Sequence, residues 1–85
     1  MLGGMSENII ARIPGPYLSD AQQKLPKPET APADVMEATI DVPGIGTVRV
    51  TCERLQAKHH RHSHWFWTAC KVVLVDALDE GTRAP

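Results

Sequence analysis

No stretch of the 85-residue chain approaches the ~20 apolar residues that a membrane-crossing helix needs. The opening residues Met1-Leu2-Gly3-Gly4 carry neither a basic n-region nor an apolar h-region, so no secretory signal is expected, and Met5 is an alternative start. Cysteine is scarce. Cys52 and Cys70 are the two, and two thiols without an export signal fit a reducing, cytoplasmic setting. Also missing are a nucleophile elbow, a phosphate-binding glycine loop and a Cys-x-x-Cys pair. A packed unit of about 50 residues leaves little room for a cleft. The expectation is a protein that is not an enzyme and holds no cofactor. Acid and base nearly balance at a net charge of −1, which argues against a general nucleic-acid coat protein.

What the chain does have is concentrated. Five of seven prolines (Pro14, Pro16, Pro26, Pro28, Pro32) fall before residue 33. Residues 1–34 therefore read as a Pro-rich arm or linker, expected to be mostly extended and loose. At most a short helix is expected near 19–25, with Ser19 as N-cap and Pro26 as its stop. Ile9, Ile10, Ile13, Tyr17 and Leu18 are the arm residues able to dock. Residues 35–78 alternate apolar and polar positions and predict an all-β, three-stranded antiparallel meander; 79–85 read as a tail. In the first hairpin a bulged turn with Gly46 in the left-handed region pairs Val42 with Val48 and Ile40 with Val50. Centring the second hairpin near Arg61 pairs Ala57 with Trp65, Leu55 with Trp67, Cys52 with Cys70, Val50 with Val72 and Val48 with Leu74. One face then holds Ile40, Val42, Val48, Val50, Cys52, Phe66, Cys70, Val72 and Leu74. The other holds Leu55, Trp65, Trp67 and Ala69 among polar residues. A domain this small buries a low fraction of its surface, so a second copy or a partner is expected to add to it.

All four histidines and both tryptophans lie in one run, Lys58-His59-His60-Arg61-His62-Ser63-His64-Trp65-Phe66-Trp67. Between Arg49 and Lys71 stand five cationic side chains against Glu53 alone. Trp65 and Trp67, two apart in a strand, point to one side as an aromatic patch, unless the arm folds over them as core. Arg54, Lys58, Arg61, His62 and His64 form a basic rim. The histidine loop admits a zinc site from His59, His60, His62 and His64, but Cys52 and Cys70 sit about five strand residues away at ~3.3 Å each, too far to join it. A solvated loop with incidental metal affinity is the simpler reading. Cys52 and Cys70 read as reduced, buried neighbours across two strands.

The extended lead Val42-Pro43-Gly44-Ile45-Gly46-Thr47-Val48, the charged strand, the basic loop and His64-Trp65-Phe66-Trp67-Thr68-Ala69 resemble the small accessory proteins of bacteriophages and prophages. That resemblance covers residues 35–76 at most and implies a protein that binds and blocks a host protein complex, as anti-CRISPR and other host-takeover factors do. It makes Trp65, Trp67 and residues 58–64 the contacts. Single-stranded nucleic acid is the alternative partner, with indoles stacking on bases and Arg54, Lys58 and Arg61 along the backbone. A zinc-stabilised interaction module is another, and a homodimer is compatible with each.

Overall fold

Alternating β-branched and polar residues begin at Val35, and the sheet begins there. The computed structural model describes residues 7–59 and 61–77, and for His59 and Ala77 the backbone alone. Strands β1 (Val35–Val42), β2 (Gly46–His59) and β3 (His62–Ala77) form one open antiparallel sheet in the order β1-β2-β3. The fold is the predicted all-β meander, with one short helix, α1 (Gly15–Gln23), added.

The first turn spans Pro43, Gly44 and Ile45, closed by the Ile45 N–H donating to the Val42 carbonyl at 3.0 Å. Gly44 (φ 84°) and Gly46 (φ 127°) take up the positive φ values that a side chain would resist. Val42 therefore meets Gly46, Ile40 meets Val48 and Ala38 meets Val50. This register lies two residues from the expected one. Because side chains alternate with period two, an even slip leaves Ile40, Val42, Val48 and Val50 together on the core face.

The second hairpin departs further. Val48↔Leu74 and Val50↔Val72 pair as expected, but β3 bulges beside Thr51 and Cys52, and from there to the tip the register changes by one. Cys52 faces Ala69 rather than Cys70, Arg54 faces Trp67, Leu55 faces Phe66 and Gln56 faces Trp65. Two constraints explain the bulge. At the base, Val48, Val50 and Val72 must share the core; at the tip, His59 pairs with His62 across a two-residue connection. One extra residue, Cys70, reconciles them. The slip reverses the faces of the distal half: Trp67 is buried in place of Phe66, and Cys70 is exposed while Cys52 is buried, both thiols free. Leu74 also lies in solvent rather than in the core.

The arm covers the core face. Ile9, Ile13, Ala21 and Ala31 join Ala38, Ile40, Val42, Val48, Val50, Cys52, Trp67 and Val72 in one apolar cluster. The loose arm expected from the prolines is instead docked over residues 7–34. Helix α1 starts four residues before Ser19: Pro14 caps it in extended conformation and Pro16 occupies the first turn, where a missing N–H costs nothing. The chain before it is clipped to the β3 edge, the Ile9 N–H donating to the Val72 carbonyl (2.8 Å) and the Val72 N–H to the Asn8 Oδ1 (3.0 Å).

Candidate functional site: a projecting ribbon

Strand β1 begins at Val35, opposite Glu53, and beyond that pair β2 and β3 run on as a two-stranded ribbon of residues 54–59 and 62–67. The ribbon helps to give the molecule its long axis of 58 Å against 28 and 22 Å across. It carries every residue the sequence singles out for contact, but in two classes.

Trp67 and Arg54 are turned inward. Trp67 is 8% exposed, and its indole Nε1–H donates to the Pro26 carbonyl at 2.9 Å. This is the core alternative for that indole. Arg54 donates from Nη1 to the Pro28 and Ala31 carbonyls, both 2.9 Å, and from Nε to Asp34 Oδ1 at 3.0 Å. Its Nη2 also reaches the Asp34 carboxylate. The guanidinium thus straps the linker to the ribbon, and with its donors engaged it is not a free cation. A fork of fixed donors suits several acceptors at once in a way a lysine could not. Its carbon lies 5.4 Å from the centre of the Trp65 ring, so one side of that indole also has an internal partner.

The other described ones face solvent. On the core side of the ribbon lie Gln56, Lys58, Ser63 and Trp65, the last 37% exposed. On the open side, Leu55 and Phe66 sit opposite each other at 38% and 37% exposure, with His64 5.9 Å from the Phe66 ring. Val35, exposed at the end of β1, shares that side. Sequence reasoning placed Phe66 in the core and so missed Leu55 and Phe66 as a solvent-facing pair. A two-residue turn at the tip was the signal that could have found it. Lys58, Arg61, His62 and His64 are exposed around these apolar groups, and no Asp or Glu occurs from residue 54 to 75.

For the zinc reading, the His59 side chain and His60 lie outside the described residues. Among the described residues no three His, Cys, Asp or Glu side chains gather as a metal set. The described ribbon thus presents exposed apolar side chains with Lys58 and Arg61 beside them. At the far end of the sheet, a hollow of about 310 Å³ between Ile9, Ile45 and Leu74 is rimmed by Glu7 and Arg12. No described helix is long and apolar enough to cross a membrane. No protein family, curated protein or solved structure matches the chain, which leaves the ribbon's geometry as the ground for a functional reading.

Proposed function

We propose that the chain is a non-catalytic, cytoplasmic binding module whose contact element is the β2–β3 ribbon, acting by covering a surface of a protein partner. The observation that carries this is Leu55, Phe66 and Trp65, each more than a third exposed, on an element that projects beyond the sheet. Apolar side chains there add little to the core, and such groups inside a polar rim are typical of interaction surfaces. Lys58, Arg61, His62 and His64 supply the rim and would steer an acidic partner into register. Blocking a host complex, the role implied by the resemblance to phage accessory proteins, would use this same surface. Single-stranded nucleic acid is the weaker reading. With Trp67 buried and Arg54 committed to the linker, the described ribbon leaves for it the partly open Trp65 indole and the exposed Lys58 and Arg61.

The test is capture of partners from host lysate on the full chain, without a polyhistidine tag, with and without nuclease. Expected is a stoichiometric protein that survives nuclease and chelator and is lost with Leu55→Ser/Phe66→Ser, while far-UV circular dichroism is retained. Recovery of nuclease-sensitive, heterogeneous material alone would replace this reading with the nucleic-acid one.

A further inference from the structure

The described arm bonds the sheet's outer edges only at single points. Along β3, Asn8 and Ile9 occupy the backbone groups of Val72. On β1, the Thr39 carbonyl accepts from Lys24 Nζ of the arm at 3.3 Å. The outer edge of β2 beyond Glu53 is the line that β1 has left. There the Arg54 N–H donates to the Asp34 carbonyl at 2.7 Å, so Arg54 directs its backbone groups toward the β1 side. Alternation along an antiparallel strand then turns the N–H and C=O of Gln56 and Lys58 the same way, while Leu55, Ala57 and His59 bond to β3. Upstream of Asp34 the chain leaves this line, because the Pro28 and Ala31 carbonyls lie on the Arg54 guanidinium. Among the described residues, nothing bonds the backbone of Gln56 or Lys58. Four polar backbone groups thus form a ready template for another strand.

We infer that this edge accepts an extended acidic segment of the partner protein, added to the sheet in the line that β1 vacates. The inference rests on the ribbon's being the contact element and names how it is engaged. Charge selects the occupant. The edge carries Lys58, with Arg61, His62 and His64 nearby and no acidic residue on the ribbon. A second copy of the ribbon would bring like charges together, whereas alternate carboxylates on an incoming strand would meet Lys58. The faces specify the rest. One side of the added strand lies beside Gln56 and Lys58, the other beside Leu55 and Ala57, with Phe66 one strand farther across β2. The ligand is therefore a short strand alternating acidic and apolar residues. Main-chain bonds supply the affinity and the two faces the selectivity.

Selection from a random twelve-residue peptide library on the immobilised full chain tests this. Enriched peptides are expected to alternate Glu or Asp with Val, Ile or Phe and to lack proline within the motif. Gln56→Pro is the decisive variant. It removes an outward N–H and leaves the β2–β3 ladder whole, a placement proline tolerates on an edge. It should retain the fold by circular dichroism and weaken the selected peptides about tenfold or more, the effect of losing one or two edge bonds. Lys58→Glu should weaken them as well. The inference falls if no sequence is enriched, if basic peptides are, or if selected peptides bind Gln56→Pro as tightly as the native chain. It falls too if sedimentation shows a dimer that Gln56→Pro dissociates, since the occupant is then a second copy. Peptides that bind Gln56→Pro normally but are lost with Leu55→Ser/Phe66→Ser would overturn the edge mode and leave the ribbon's binding role standing.

Discussion

Cys70 owes its exposure to a bulge, and Cys52 owes its burial to the same bulge. As the extra residue of β3, Cys70 stands out of the ladder, its thiol near the Thr51 carbonyl at 3.4 Å. Cys52, facing Ala69, is shut inside the core. Burial first, and the neighbouring Cys70 second, push the Cys52 thiol above its ordinary 9.0. Thiol reactivity follows the thiolate, so the two cysteines should separate cleanly. In the native protein a disulfide reagent should titrate one thiol promptly. In Cys70→Ser, the remaining thiol should react only at the rate of unfolding, and prompt reaction of both thiols in the native chain would contradict the bulged register. The same shift has a consequence for stability. Cys52 stays neutral in the fold but ionises in the unfolded chain, so its contribution is intact below the unfolded value and is lost as pH rises through about 9 toward the higher folded value. Denaturant midpoints should fall across that window, and less steeply in Cys52→Ala.

At the scale of elements, the strap between linker and ribbon separates a hydrogen-bond effect from a charge effect. Asp34 is 77% exposed at its side chain and Arg54 only 18%. An ion pair with one partner so exposed contributes little, so Asp34→Asn should cost less than about 1 kcal/mol. Arg54→Leu removes the donors on the Pro28 and Ala31 carbonyls, a loss of about 1–3 kcal/mol. Urea denaturation of both variants checks the ranking, and equal losses would mean that the strap is mainly electrostatic. Arg54 also marks where the sequence stops being legible. The three strands, the core face of Ile40, Val42, Val48 and Val50, and the ribbon as the place where aromatic and basic residues gather all follow from alternation and composition. The bulge does not, because it settles a conflict between a tight tip and a distant core, and each end taken alone predicts a different register. The places of Trp67, Phe66 and Cys70 on β3 all follow from that one residue. Arg54 reads as a surface cation for a different reason: two of its acceptors are main-chain carbonyls 23 and 26 residues away, invisible to any side-chain pattern. In the arm the apolar residues able to dock do so, because prolines that usually loosen a chain here start a helix and fix a linker against a tryptophan.

For the molecule as a whole, the question is whether arm and sheet fold together. The Cα radius of gyration is 15.5 Å, against about 12 Å for a compact domain of this length. So elongated a chain can spare little of its core. Ile9, Ile13, Ala21 and Ala31 come from the arm, and the fully buried Val48, Val50, Cys52 and Val72 lie beneath it. An uncovered sheet would present this face to water, and among the described residues no second layer replaces the arm. Folding should therefore be one cooperative transition. Trp67 makes this measurable, because its indole is held by the Pro26 carbonyl of the arm. In a Trp65→Phe background, where Trp67 is the sole tryptophan, its fluorescence reports the docked arm and circular dichroism near 218 nm reports the sheet. The two urea transitions should coincide in midpoint and slope. Fluorescence leading the dichroism would mean that the arm undocks from a surviving sheet, and the apolar face beneath it would then become a second surface open to partners.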